Sequence, residues 1–398
     1  MSLPRKPIKA ATSGYTEPID IWRRYATELE EKALVDPYWD IFRFTDSLPD
    51  PTELVRIVGL FLAHRILQDT EYQNRLTVFD SVSKFLGMVQ EGYRQSYGYH
   101  TKIHSADTAI TLYQMIGVYE RPRGIDALDE LAAILAAFAH DVGHPGWSNS
   151  LSKALGMGDP DDPHPLESMH VRETARMLTV AGLDDLLGPH RLSMMREMIL
   201  CTCMEYHSTM VEKAQNYAIE DLTTRLSVLL HAADISNPTK EARLCQIWSI
   251  RCSFEFWREH DLSREIGVTP PSSVPSRSLT SPGYAITQLA FYENVALPLF
   301  AALDPNSEWT IRLMANIQSR VDLIAAYAQP QMKTTKQWRA HQPHLSDADV
   351  YACSEDDGEV CVVTPSISVE REPELDAQPS SSDQRRRSSL FSVSAISS

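Results

Sequence analysis

From Leu54 to Ile324 the apolar residues return at steps of three and four, a rhythm that calls for helices almost throughout. Leu54-Ile57-Val58-Leu60-Phe61 and Phe79-Val82-Phe85-Leu86-Val89 show it early in the chain. Leu222-Leu226-Leu229-Leu230 and Ile311-Leu313-Met314-Ile317-Val321-Ile324 show it late. Each set lies along one side of a 3.6-residue turn, so each helix needs neighbours to cover that side. There is no convincing alternating strand, no repeat and no glycine-rich phosphate loop, while Gly158–Pro163 and Pro270–Pro282 read as loops. The expected fold is all-α: a compact multi-helix domain over residues 19–330, behind a short N-terminal arm (1–18). Residues 331–398 lose the periodicity and become rich in Ser, Pro and acidic residues, which reads as a flexible, disordered tail.

Charge narrows the function. The 398 residues carry a formal net charge of −16, which gives no general attraction for nucleic acid or an anionic membrane surface. A chain this acidic needs bound cations to reverse the local field before it can handle a phosphate. Met1-Ser2-Leu3-Pro4-Arg5-Lys6 leads into a mixed polar stretch without an apolar signal core, and the longest apolar run, Leu131–Ala139, is far too short to span a bilayer. The six cysteines show no Cys-x-x-Cys spacing and read as reduced thiols, most of them inside helices. The expectation is a cytoplasmic protein with no transmembrane segment and no nucleic-acid partner.

Three segments carry the chemistry. Tyr99-His100-x-x-x-His104-x-x-Asp107 would set His100, His104 and Asp107 on one helix face. The apolar run Leu131–Ala139 then ends in His140-Asp141, followed by Val142-Gly143-His144-Pro145-Gly146 and, further on, Asn149. An imidazole and a carboxylate closing so apolar a helix are costly to bury unless something pairs with them, and a divalent metal is a suitable partner. Asp234 ends the third apolar helix, ahead of Ile235-Ser236-Asn237-Pro238. Together, His104, His140, Asp141 and Asp234 form a set of two histidines and two carboxylates drawn from three segments.

The Tyr-His-x-x-x-His segment, the His-Asp-x-x-His-x-x-x-x-Asn signature (His140, Asp141, His144, Asn149) and the run Asp234-Ile235-Ser236-Asn237-Pro238-Thr239-Lys240 resemble the class I 3′,5′-cyclic nucleotide phosphodiesterases. The similarity continues through Glu255-Phe256, Asp261 and Gln288-x-x-Phe291 ahead of Pro298-Leu299-Phe300, and the Asn237–Lys240 run is most similar to the cAMP-specific members. What the resemblance implies is an HD-type phosphodiesterase fold with a binuclear metal site, opening cyclic nucleotides to 5′-monophosphates, cAMP in preference to cGMP. It implies that His104, His140, Asp141 and Asp234 hold a zinc-like ion, with Asp141 bridging to a second ion, Mg²⁺ or Mn²⁺. A water shared by the two ions would attack in line. It casts His100 as general acid, His144, Glu167 and Thr202 as residues ordering metal-bound water, and Tyr99, Asn237, Gln288 and Phe291 as the nucleotide pocket.

The chain departs from the family pattern in three places. Met169-His170 stands where two adjacent histidines are usual, Cys203 where an aspartate follows the threonine, and Cys252 where a branched aliphatic faces the base. A thiol at position 203 is expected to weaken the site. Two other readings compete: a catalytically weakened nucleotide-binding regulator, and an HD-type phosphohydrolase acting on other nucleotides. Arg385-Arg386-Arg387-Ser388-Ser389-Leu390 resembles a site for cAMP-dependent protein kinase, with Ser389 and then Ser388 as acceptor.

Overall fold

The computed structural model describes residues 18–36, 39–72, 75–94, 98–271, 274–279 and 281–327; every regular element among them is helical. In chain order the longer helices begin with α1 (Ile41–Ser47), α2 (Leu54–Leu67), α3 (Leu76–Gly92), α4 (Lys102–Tyr119) and α5 (Ala127–Ala139). Next come α6 (Asn149–Ala154), α7 (Pro165–Ala181), α8 (Asp184–Leu200), α9 (His207–Gln215) and α10 (Leu222–Asp234). The last four are α11 (Ala242–Glu265), α12 (Pro282–Phe291), α13 (Leu297–Leu303) and α14 (Glu308–Tyr327). All four periodic stretches of the sequence are helices, and both expected loops are non-helical among their described residues except Pro282, which opens α12.

At the centre stands α5, wrapped by α2, α4 and α8. Leu131 through Ala139 are each no more than 1% exposed, so this helix is apolar all round rather than on one face. Its alanines let the neighbouring helices approach closely, while Leu131, Ile134, Leu135 and Phe138 each contribute about 1.5–3 kcal/mol by burial. Ala136→Leu would overpack this seam, at about 1–3 kcal/mol. The helix starts at Asp126, whose carboxylate accepts the Leu128 N–H at 2.8 Å. It stops before a turn that needs Gly143 (φ 83°) and Gly146 (φ 79°), a backbone region that other residues enter only with strain.

The start of α4 and the ends of α5 and α10 meet at one end of the bundle. Asp221 caps α10 by accepting the Thr224 N–H at 3.0 Å, and Pro238, inside the 3₁₀ turn Asn237–Thr239, prevents the helix from resuming. Behind them α11 crosses the site, and the π-helical turn Tyr292–Ala296 leads from α12 into α13. By length and composition alone Gly283–Leu303 could cross a membrane; in the fold 28% of its apolar window is buried, Tyr284, Tyr292, Leu299 and Phe300 being buried residues of this stretch.

Two sequence expectations need correction. His100 does not share a helix face with His104, because α4 begins only at Lys102. Glu255 on α11 accepts the backbone N–H groups of Tyr99 (2.8 Å) and His100 (3.0 Å), which holds this segment outside the helix. Of the four described cysteines only Cys245 and Cys252 lie in a helix; Cys201 and Cys203 sit in the turn after α8.

Candidate active site and metal centre

The three helix ends bring four donors together. His104 Nε2 lies 2.9 Å from Asp234 Oδ1 and 3.5 Å from Asp141 Oδ2. His140 Nε2 lies 3.0 Å from Asp141 Oδ2 and 3.3 Å from Asp234 Oδ1, and all four donor atoms fall within 4.8 Å of one another. His140 donates from Nδ1 to the Ala137 carbonyl at 2.8 Å, which turns Nε2 towards the carboxylates as a metal-ligating histidine requires. Asp141 Oδ2 is buried and makes no well-aligned hydrogen bond, although two imidazole nitrogens face it. A buried, unsatisfied carboxylate oxygen converging with two imidazoles is a donor set that fits a divalent cation. Burial opposes a proton on His140, but Asp141 and Asp234 outweigh it and raise its pKa well above the usual value. Burial likewise opposes ionisation of the two aspartates, yet His140 and the neighbouring imidazoles hold both well below the ordinary carboxylate range.

Beside this set stands a second pair. His100 Nδ1 meets Glu255 Oε2 at 2.5 Å, and the His100 ring stacks on His144 at 3.7 Å between centroids. The stacked rings are pushed in opposite directions. Burial disfavours charge on His100, but Glu255, then Asp141 and Asp234, bring its pKa up to about 9. Burial and the neighbouring His100 charge hold His144 well below the usual histidine value. Consistently, His144 Nδ1 accepts the Gly146 N–H at 3.0 Å.

The other expected residues fall around these two groups. Glu167 Oε2 accepts from Asn149 Nδ2 at 2.9 Å, and the Thr202 hydroxyl donates to the Ile199 carbonyl at 2.7 Å. The Tyr99 hydroxyl donates to the Asp234 carbonyl at 3.0 Å and accepts from Asn237 Nδ2. Gln288 is buried, and neither its amide oxygen nor its nitrogen has a hydrogen-bond partner. Gln288 and Phe291 lie on α12, and the next residue, Tyr292, reaches Ser249 of α11 at 3.4 Å. Asp107 is elsewhere: its carboxylate binds Lys240 Nζ at 2.9 Å and takes no part in the four-donor set. Sequence reasoning missed the role of Glu255, and also His170, whose Nε2 stands 3.8 Å from Asp141 Oδ1. Ser388 and Ser389 lie outside the described residues.

The profile of the 3′5′-cyclic nucleotide phosphodiesterase family matches residues 99–317, more than half of the chain and every residue of this site. The chain belongs to this family. Within it, the dual specificity calcium/calmodulin-dependent 3′,5′-cyclic nucleotide phosphodiesterase 1B of Mus musculus is 28% identical over 326 residues, covering 78% of this chain and 57% of that protein. The 3′,5′-cyclic-AMP phosphodiesterase 4C of Rattus norvegicus is 27% identical over 264 residues, covering 59% of this chain and 48% of that one. The chain thus spans roughly half the length of these curated phosphodiesterases. The solved structure of LmjPDEB1 in complex with IBMX shares the fold, with a TM-score of 0.60 at 18% identity over 73% of this chain and 92% of that one.

Proposed function

We propose that the protein hydrolyses 3′,5′-cyclic nucleotides to 5′-monophosphates in the cytoplasm, preferring cAMP to cGMP. The observation that carries this reading is the stacked His100–His144 pair, with its two pKa values driven apart, beside a four-donor metal set. Neighbouring groups tuned in opposite directions mark acid and base roles. His104, His140, Asp141 and Asp234 would hold Zn²⁺, with Mg²⁺ or Mn²⁺ held beside it through Asp141. Such ions supply an acidified water and offset charge on the phosphate.

The remaining roles fall to the chain's own residues. His100 carries a proton that Glu255 stabilises and is the group to deliver it to the departing 3′-oxygen. His144 is neutral and, with Glu167 and Thr202, would order water around the ions. The nucleotide would lie against Tyr99, Asn237, Gln288 and Phe291, where the unpaired Gln288 amide could bind the base edge. Asn237 gives one amide N–H to Tyr99, which fixes the orientation of the amide and leaves its oxygen to accept from a base and its second N–H to donate to one. Adenine's 6-amino group donates, whereas the 6-oxygen of guanine does not, and this supports the cAMP preference.

The direct test is hydrolysis of cAMP and cGMP by the purified protein, with and without chelator and added Mg²⁺. A higher kcat/KM for cGMP would reverse the specificity. Nucleotide binding without turnover would favour a regulator, and turnover of non-cyclic nucleotides alone would favour a different phosphohydrolase. The Ser388–Ser389 motif is a candidate site for cAMP-dependent protein kinase. Treating the protein with that kinase, beside a Ser388→Ala/Ser389→Ala variant, would show whether phosphate there alters the kinetics.

A further inference from the structure

Cys203, which replaces a carboxylate of the family pattern, has acquired a partner. The turn after α8 buries it to 1% exposure, and its Sγ lies 3.3 Å from Nδ1 of His164, the residue preceding α7. Glu167, in the first turn of α7, completes a trio whose donor atoms lie within 4.8 Å of one another. Each member is at least nine-tenths buried. Glu167 is the only member with a role in the proposed reaction, and no donor is shared with the four-donor set.

We infer that His164, Glu167 and Cys203 form a further metal site, specific for a soft divalent cation of the zinc type. A thiolate, an imidazole and a carboxylate, with a fourth position left to water, make up an open zinc site. Bonds of about 2.3 Å to sulfur and 2.0–2.1 Å to nitrogen leave about 3.5 Å between those two atoms in a tetrahedron. The observed 3.3 Å is close to that separation before any metal is added. His164 has its other nitrogen, Nε2, 3.8 Å from Glu205 Oε2, within ion-pair range but longer than the hydrogen bond that orients metal-bound imidazoles. Asn149 Nδ2 holds Glu167 Oε2 at 2.9 Å. Glu205 and the Tyr206 ring, 5.1 Å from the His164 ring, are both exposed and give the site a solvent-facing rim.

The thiolate sets the chemistry of the guest. It favours zinc-like ions over magnesium, so the site would stay selective in a large excess of Mg²⁺. Because Glu167 is also proposed to order water beside the catalytic ions, an ion here would pull on that residue and tie phosphodiesterase rate to zinc supply. Only this last link rests on the phosphodiesterase reading.

The test counts metal and does not depend on turnover, so it stands apart from any failure of that reading. The full chain is stripped with chelator and dialysed against Zn²⁺ in excess Mg²⁺, beside Cys203→Ala and His164→Ala. Each protein is also titrated with Cd²⁺, whose thiolate complexes absorb in the ultraviolet. His164 makes no side-chain cap to α7, so its truncation leaves the helix start intact and serves as a check independent of the buried Cys203. The wild-type protein should bind one more equivalent of Zn²⁺ than either variant. The cadmium band should vanish in Cys203→Ala, and its affinity should fall about 10–100-fold in His164→Ala, as for lost metal-site contacts generally. Equal zinc counts, or a cadmium band insensitive to His164→Ala, would reduce the trio to a thiol–imidazole hydrogen bond and overturn the proposal.

Discussion

His100 and Glu255 stand 155 residues apart in the chain, yet Nδ1 of one and Oε2 of the other are separated by 2.5 Å. The same carboxylate accepts the backbone N–H groups of Tyr99 and His100 through its other oxygen. One side chain on α11 therefore sets both the position of the imidazole and its charge.

Glu255→Gln keeps the shape and removes the charge. A general acid acts only while protonated, so activity falls as pH rises through its pKa. Losing Glu255 lowers that pKa, and the alkaline limb of the rate profile should move to lower pH. A charge-assisted hydrogen bond is worth about 1.5–3 kcal/mol, which corresponds to at least about one pH unit. An unmoved alkaline limb would show that His100 is not the acid.

Asp141→Ala and His100→Ala should fail in different ways. The first should abolish turnover and strip metal, since Asp141 Oδ2 faces both site histidines. The second should keep metal content near wild type while kcat drops about 10²–10⁴-fold. Metal analysis beside single-turnover kinetics separates the two cases, and full activity in either variant would dismantle the site.

Metal loading should weaken in acid. The raised pKa of His140 means that a proton competes for the Nε2 that would ligate the ion. The sign is therefore fixed: apparent affinity rises with pH. Equilibrium dialysis between about pH 6 and about pH 8 should show it. Affinity that is flat across that range would place the ion elsewhere.

Gln288 offers a trade between stability and binding. Both polar atoms of its buried amide lack partners, a penalty of about 1–3 kcal/mol. Gln288→Leu should raise the unfolding temperature of the free protein and raise KM for cyclic nucleotides. A variant with wild-type KM would mean that the amide does not read the base.

Away from the site, Glu120 is 1% exposed and accepts from Tyr217 Oη at 2.8 Å and from Arg225 Nε at 2.9 Å. Glu120→Ala would leave the Arg225 guanidinium without its carboxylate, keeping only its bond to the Glu220 carbonyl, beside a buried phenol. Removing one partner of a buried pair costs about 3–5 kcal/mol, which thermal unfolding would detect.

Helix periodicity and the His140-Asp141 pair at the end of an apolar run were readable in the sequence because both are local signals. The clustering of His104, His140, Asp141 and Asp234 was readable too, since each lies at or just beside the start or end of a helix. His100 was assigned to a helix face because spacing alone cannot show that a distant glutamate has captured its backbone. Asp107 does share α4 with His104, three residues on, but its carboxylate is taken by Lys240 and stays out of the four-donor set. Cys203 looked like a defect in the sequence, because only the fold brings His164 to its sulfur.

His104 and His140 each approach Asp234, from 130 and 94 residues away. Contacts of such long range form only after most of the chain has found its place, so the donor set is among the last features a folding molecule completes. An ion that binds only the assembled donors draws the equilibrium towards the finished fold by mass action. Metal content therefore reports on completeness: a chain unfinished, nicked or misregistered anywhere between α4 and α10 should lose its ion before it loses its helices.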